Sequence, residues 1–196
     1  MSSDKAVKTG KKLKVLDMAY IAIGAVLIAI CSWINIPTAV PFTLQTFAVF
    51  FVLMLLGGER GTISILIYIL LGAVGVPVFA GFSAGIGILF GNTGGYILGF
   101  IFIGLIYILF TRVFKMKNIF FKVLALVIGL AICYAFGSIW FMHIYIRDSG
   151  EVGLFAVLGW CVFPFIIPDL IKMALAVIIA KRIQPVLKLG DSSNNS

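Results

Sequence analysis

Long stretches without a charged side chain constrain the fold of this sequence more than any other feature. A segment needs about 20 consecutive apolar residues, within a range of about 17–25, to cross the hydrocarbon layer of a bilayer as an α-helix. The first such stretch follows a lysine-rich start and occupies 15–34, with one carboxylate, Asp17, at its N-terminal end, where a negative charge suits the helix dipole. Since 62% of the residues are hydrophobic and only 11% are charged, against about a quarter charged in a soluble domain, we predict an integral membrane protein surrounded by lipid.

Glycine, proline or charged residues divide the chain into six apolar runs, which predict six transmembrane helices in a compact all-α bundle. The runs are Val15–Ile34, Leu44–Leu56, Thr62–Val74, Gly94–Phe110, Ile119–Phe141 and Leu154–Ala180. We therefore expect one membrane domain over 15–184, a basic cytoplasmic segment over 1–14 and a cytoplasmic tail over 185–196. Within the last run, Pro168 favours the start of a new helical segment, because proline suits the first helical position.

The positions of lysine and arginine predict the orientation of the chain. With the N-terminus in the cytoplasm, all 15 basic residues fall inside except Arg147, which falls outside, and Lys172, which lies within the last run. Cytoplasmic loops are enriched in basic residues, so we expect both termini in the cytoplasm and the protein in the plasma membrane. The neutral connections 35–43 and 75–93 then lie on the outer face.

Asp169 and Lys172 form a charged pair inside the last apolar run. They are three positions apart and therefore share one face of a helix. A charge within hydrocarbon is costly, and such residues usually face a cavity or a partner. Two interpretations remain open: an ion pair that fixes the helices together, or a polar site that binds a ligand.

The segment 79–99 is too rich in glycine for an ordinary helix and too apolar for a solvated loop. Glycine recurs every four residues from Gly91 to Gly99, a spacing that lets another helix pack closely. Asn92 and Tyr96 lie beside this stripe. The amide offers a donor and an acceptor, and the tyrosine combines a ring with a hydroxyl tip. We predict that the segment forms one wall of a site for a small ligand.

Two pairs of residues have alternative interpretations. Thr43 and Gln45, at the start of the second run, either point into the same outer cavity or cap the helix and bond internally. Ala25 and Ala29, in the first run, form a small-xxx-small face that suits close helix contact. That contact is either within the chain or with another membrane protein.

The remaining reactive residues form no recognisable catalytic or metal-binding set. Cys31, Cys133 and Cys161 are scattered in apolar surroundings, which favours buried thiols over disulfides or zinc ligands. His143 is the single histidine, and the sequence has no glycine–lysine phosphate-binding loop. We therefore expect neither an enzyme nor a bound cofactor or metal. The placement of the basic residues argues for membrane topology rather than nucleic-acid binding.

Three stretches together resemble a known family. They are VPFTLQTFAVF from Val40, LLGAVGVPVFAGFSAGIGILFGNTGGYILGF from Leu70 and PDLIKMALA from Pro168. They are similar to the biotin-specific substrate-binding component of energy-coupling factor transporters, the BioY family, and the resemblance covers about 15–180. One departure is Asn92, where the family often has proline; this amide either contacts the ligand or only caps the helix.

The resemblance implies a six-helix protein that binds biotin with high affinity in an outward-facing cavity. It also implies a partner module, made of a transmembrane coupling protein and two cytoplasmic ATPases, with Ala25 and Ala29 facing the coupling protein. The alternatives are a stand-alone secondary carrier or channel for a small solute, in which the charged pair relays protons, and a structural protein in which that pair only fixes helix packing.

The chemistry of biotin suits the polar residues named above. Its ureido ring has two N–H donors and one carbonyl, so Asp169 would accept and Lys172 would donate; alternatively, Lys172 would pair with the carboxylate of biotin. Phe79 and Phe82 would cover its apolar parts, since ligand sites are mostly apolar. The remaining polar edges would be bound by Thr43, Gln45, Asn92 and Tyr96.

Overall fold

The computed structural model describes residues 15–38, 40–114 and 118–187. The predicted segment 1–14 and the part of the predicted tail beyond 187 lie outside these ranges. Helices make up most of the described chain. In order, the elements are α1 (Val15–Trp33), β1 (Asn35–Ile36), β2 (Phe42–Thr43), α2 (Gln45–Leu56), α3 (Gly58–Ala73), α4 (Ile86–Leu89), α5 (Gly94–Phe114), α6 (Ile119–Ser149), α7 (Leu154–Cys161) and α8 (Phe163–Ile183), with 3-10 turns at Ala80–Phe82 and Gln184–Val186.

Four helical stretches of the described chain are long and apolar enough to cross a membrane. They are Val15–Trp33, Gly94–Val113, Ile119–Asp148 and Leu154–Val186. α2 is as apolar as these four stretches but has only 12 residues. It packs against α1, α3 and α8, and most of its side chains are buried. α2 is therefore a central helix, surrounded largely by protein.

Two helices extend beyond the predicted apolar runs. α6 has 31 residues and continues to Ser149, whereas the apolar run ends at Phe141. Exposed polar side chains do not interrupt a helix, and α6 ends only where Gly150 adopts a φ of 97°, the left-handed conformation that glycine favours at helix ends. α3 begins at Gly58 rather than Thr62, because Gly57 alone, with a φ of 83°, makes the turn from α2.

The prediction that Pro168 starts a helix is wrong. The last run breaks at Val162, whose φ of −125° and ψ of −58° are not helical, and α8 begins at Phe163 with a proline in its first turn. That residue is Pro164, whose missing N–H would be unpaired at this position anyway. Pro168 lies inside α8.

A short antiparallel ladder between α1 and α2 was not expected from the sequence. β1 and β2 pair Asn35 with Thr43 and Ile36 with Phe42, and the N–H of Leu44 bonds to the carbonyl of Ile34 at 3.1 Å. Strands of two residues have no recognisable alternating pattern. The ladder folds this connection back over the end of the bundle and holds Thr43 beside the start of α2.

The glycines of α5 bring it into close contact with α6. A Cβ atom on Gly95 would collide with Trp140, and one on Gly99 would lie 2.6 Å from the Sγ of Cys133. Both positions therefore use the absence of a side chain for helix packing. Gly91 precedes α5, and a Cβ there would only touch backbone oxygens at 3.4 Å, so the predicted packing stripe begins at Gly95.

Two ion pairs mark one end of the bundle. Arg60 lies 3.0 Å from Asp17 and so joins the start of α3 to the start of α1. Arg112 lies 2.9 Å from Glu59 and joins the end of α5 to the start of α3. Because α1 and α3 start here while α2 and α5 finish here, the opposite end of the bundle contains the starts of α2 and α5.

Candidate ligand-binding site

A cavity of about 150 Å³ lies at the end of the bundle away from these ion pairs. It is bounded by the starts of α2 and α5, by α6, by the α7–α8 region and by the connection between α3 and α5. Apolar side chains dominate the lining, as is typical of small-ligand sites. The polar lining residues are Thr43, Gln45, Thr46, Ser83, Thr93, Tyr96, Tyr134, Asp169 and Lys172.

Asp169 is the centre of the polar network in this cavity. Its side chain is 2% exposed. The Oδ1 atom accepts hydrogen bonds from Thr46 Oγ1 and Lys172 Nζ, both at 2.8 Å, and Oδ2 accepts one from Tyr134 Oη at 2.6 Å. A carboxylate has about four lone-pair sites, so Oδ2 keeps one acceptor site that no other group of this network uses.

Lys172 has each of its three N–H donors directed at an acceptor of the protein. Besides Asp169, the ammonium donates to the backbone oxygen of Thr43 at 2.7 Å and to Thr46 Oγ1 at 3.3 Å. It also lies 4.2 Å from the centre of the Phe42 ring, a cation–π geometry. The charge is thus buried with full compensation, as a buried ion pair requires.

Two further polar pairs complete the cavity wall. Gln45 donates from Nε2 to Tyr68 Oη at 2.7 Å, and its backbone N–H bonds to Thr43 Oγ1 at 3.2 Å. Tyr96 Oη and Ser138 Oγ are 3.0 Å apart, in contact between α5 and α6. Thr43 and Gln45 thus bond internally and also line the cavity, while the residue that precedes α2 is Leu44, without a side-chain cap.

Phe79 is one of the aromatic residues that line the cavity. It is fully buried, it meets Tyr68 edge-on with ring centres 5.6 Å apart, and its ring occupies the space that a side chain at Gly72 would need. The carbonyl of the preceding residue, Val78, accepts a hydrogen bond from Ser32 of α1 at 2.5 Å. The segment after α3 is therefore fixed to α1 where it enters the cavity.

Of the six polar residues predicted for the site, five lie together and one does not. The residues in the lining are Thr43, Gln45, Tyr96, Asp169 and Lys172. Asn92 is exposed, in the turn before α5, and is not part of the lining; the adjacent Thr93 is. The structure therefore does not support Asn92 as a contact residue. Phe82 is also outside the lining and stacks on Trp33, with ring centres 4.9 Å apart.

The structure places Ala25 and Ala29 among the helices of this chain. They are 3% and 5% exposed and belong to the hydrophobic core. Both lie on the face of α1 that packs against other helices of the same chain, so the small side chains serve close packing inside the protein. The exposed face of α1 instead carries Ile23, Val26 and Ile30.

Two important residues of the network were missed by sequence reasoning. Thr46 bridges Asp169 and Lys172, and Tyr134 bonds the second carboxylate oxygen. Thr46 had a usable signal: a helix begins at Gln45, so its first turn could direct several polar side chains to one cavity. Tyr134 lies among many apolar residues in the middle of α6, and nothing in its spacing distinguishes it.

The described ranges of the chain contain no group of three or more histidine, cysteine or acidic residues that could hold a metal ion. The chemistry of the cavity is that of a buried hydrogen-bonding network within apolar walls. Such a site can bind a neutral, polar ring by complementary hydrogen bonds.

The chain is similar in sequence to known membrane transport proteins. The chain is 39% identical over 159 residues to the biotin transporter BioY of Thermotoga maritima, which covers 81% of this chain and 89% of that protein. It is 38% identical to the probable biotin transporter BioY of Pyrococcus horikoshii, across 88% of this chain and 98% of that protein. A profile described as the BioY family matches residues 5–189.

The fold agrees with these sequence relationships. The crystal structure of the S-component for biotin from an ECF-type ABC transporter superposes with a TM-score of 0.75 and 27% identity, over 87% of this chain and 92% of that chain. Together with the long apolar helices, this similarity makes the protein a multi-pass membrane protein with an S-component fold. The chain belongs to the BioY family.

Proposed function

We propose that this protein is the biotin-binding subunit of an ATP-driven vitamin importer. The observation that carries the proposal is the hydrogen-bonded network of Asp169, Lys172, Thr46 and Tyr134, with its ion pair buried, within a mostly apolar cavity. Relatives named biotin transporters cover most of the chain, and a structural neighbour is an S-component for biotin. The fold, the chemistry of the site and the family therefore all support biotin as the ligand.

The ureido ring of biotin fits the hydrogen-bonding capacity of the network. One ring N–H would donate to the free acceptor site of Asp169 Oδ2. The ring carbonyl would accept the Lys172 donor that now meets Thr46 at 3.3 Å, the longest of the three contacts of the ammonium. A neutral ring leaves the charges of the pair balanced, so no unpaired charge is buried. Phe79, Phe100 and Phe165 would cover the apolar parts of the ligand.

We further propose that α1, α2, α3, α5, α6 and the α7–α8 unit make six crossings, with both termini in the cytoplasm. The end of the bundle with Arg60 and Arg112 would then face the cytoplasm, as the preference of basic residues for that side favours. The cavity lies at the opposite end and would open outwards. The ligand would then arrive from outside the cell.

The partners in this proposal are a transmembrane coupling protein and two cytoplasmic ATPase subunits. The neighbour with the similar fold comes from an ECF-type ABC transporter, which supports partners of this class. With Ala25 and Ala29 in the core, contact with a coupling protein would fall on other side chains. The exposed apolar face of α1 is available for it.

Binding and transport can be tested separately. Purified protein should bind biotin in a saturable manner, measured by titration calorimetry, and ligand should raise the unfolding temperature by mass action. Vesicles with this protein alone should bind biotin without accumulating it, and accumulation should require the coupling module and ATP. If vesicles with this protein alone accumulate biotin under a pH gradient, the protein is a secondary carrier. If the purified protein binds no biotin, the proposed function is wrong.

Replacing Tyr134 by phenylalanine should weaken biotin binding and also lower the stability of the fold, because the hydroxyl bonds a buried carboxylate. The substitution removes the hydroxyl that orients Asp169 Oδ2 at 2.6 Å and leaves the ring in place. Hydrogen bonds to charged groups contribute about 1.5–3 kcal/mol, so we expect the Kd to rise roughly 10- to 100-fold. The matched control is Tyr107→Phe: Tyr107 is buried, bonds only weakly to Met54 Sδ at 3.5 Å and lies outside the lining. An equal effect of both substitutions on Kd would contradict a role for Tyr134 in the site.

A further inference from the structure

The cavity has no net charge. Of the side chains that line it, all within the described part of the chain, only Asp169 and Lys172 are charged, and they lie 2.8 Å apart. The other lining groups are hydrocarbon, hydroxyl, thiol or amide. Biotin, in contrast, is an anion at neutral pH, because its side chain ends in a carboxylate. The site thus has no formal charge left over to match the charge of that ligand.

Lys172 has one donor to offer a ligand, the one that meets Thr46, whereas a salt bridge to a ligand carboxylate would bring a second anion to the ammonium that already pairs with Asp169. Two of its donors meet Asp169 and the Thr43 carbonyl at 2.8 and 2.7 Å, and the third meets Thr46. A ligand carboxylate placed there would also lie beside the carboxylate of Asp169, giving two negative groups and one positive group in a buried space. Leaving one charge uncompensated in such surroundings costs several kcal/mol, which disfavours this orientation.

The size and exposure of the lining indicate where the carboxyl end goes. A cavity of about 150 Å³ accommodates roughly one small ring, so the side chain of the ligand must extend away from the buried network. Asp169 and Lys172 are buried, whereas Pro41, Ala80, Ser83 and Thr93 are only partly buried. These four residues form the mouth of the cavity, and they present hydroxyl and backbone groups but no charge.

We infer that the site recognises the ring end of biotin and leaves the carboxyl end in water at the mouth, so that biotin derivatives whose carboxyl group is a neutral amide are also ligands. This class includes biotinamide and biotinyl-lysine, the form in which biotin is attached to proteins. The inference rests on the proposed function, because it assumes that the ring of biotin meets the Asp169 network.

Competition for the purified full-length protein tests the inference. Tritiated biotin is displaced by unlabelled biotin, biotinamide, biotinyl-lysine or biotin methylated on a ureido nitrogen. Biotinamide and biotinyl-lysine should compete within about tenfold of biotin, and the ureido-methylated compound should be weaker by at least about 100-fold.

Two results would overturn the inference in distinguishable ways. If biotin binds tightly but both amides bind more than about 100-fold more weakly, the site recognises the carboxylate and the inference fails while the proposed function stands. If biotin itself does not bind, the proposed function fails and the inference fails with it. An unchanged Kd for biotin between low and high salt would agree with a carboxylate that pairs with no cation.

Discussion

Asp169→Ala should abolish most of the biotin affinity of the protein and also destabilise the fold. The substitution removes the acceptor of three hydrogen bonds and leaves the ammonium of Lys172 buried without its counter-charge. Breaking a buried ion pair by removing one partner costs about 3–5 kcal/mol. Chemical unfolding in detergent micelles should report this loss, and calorimetry should show a Kd raised by at least about tenfold.

Two control variants separate the contributions to this result. The double variant Asp169→Ala with Lys172→Ala should regain part of the lost stability, because no unpaired charge remains buried, while binding stays weak. Glu59→Ala breaks the exposed pair with Arg112, whose side chains are 72% and 71% exposed, and should cost less than about 1 kcal/mol with no effect on binding. Wild-type stability and wild-type affinity in Asp169→Ala would remove this residue from the site.

Phe79→Ala should produce the second large effect, through packing rather than charge. The ring is fully buried against Tyr68 and fills the space beside Gly72, so its removal leaves a void between α3 and the cavity. Replacement of a buried phenylalanine by alanine costs about 3–5 kcal/mol. Because the ring is also part of the lining, we expect weaker biotin binding in the folded fraction.

The chain offers a matched control three residues further on. Phe82 is 62% exposed, belongs to the same connection and lies outside the cavity lining. Phe82→Ala loses only the stacking contact with Trp33, and such aromatic pairs contribute about 0.5–1.5 kcal/mol. Thermal unfolding with and without biotin should therefore separate the two variants clearly. Equal shifts in both would mean that the buried position of Phe79 has no special role.

Sequence reasoning located a residue correctly where any other environment would cost much free energy. A carboxylate and an ammonium within an apolar run must face each other or a cavity, and Asp169 and Lys172 do both. Glycines spaced four apart lose their packing advantage unless a helix lies against them, and α6 does lie against Gly95 and Gly99. In these cases one dominant energy term determined the outcome.

Sequence reasoning was less informative for residues whose alternative placements have similar free energies. Asn92 is polar and adjacent to the cavity, yet a turn residue can point either way, and the backbone of the turn directs Thr93 inwards instead. Pro168 and Pro164 both suit a helix start, and only tertiary packing decided that the break falls at Val162. Small residues such as Ala25 serve internal and external contacts equally well, so burial could not be predicted from their spacing.

The shortness of α2 has a consequence for the depth at which a ligand is bound. Its 12 residues rise only about 18 Å, whereas the hydrocarbon layer is about 30 Å thick. Its far end adjoins Glu59 and Arg112, which are exposed; with these charges at the aqueous boundary, as in the proposed topology, Gln45 would lie roughly 12 Å beneath the opposite boundary. Non-helical backbone such as the Thr43 carbonyl is tolerated at that level because it lines a cavity inside protein. In that topology a ligand would leave bulk water before it meets Lys172, and hydrogen bonds made in such low-dielectric surroundings are stronger than those made at a surface.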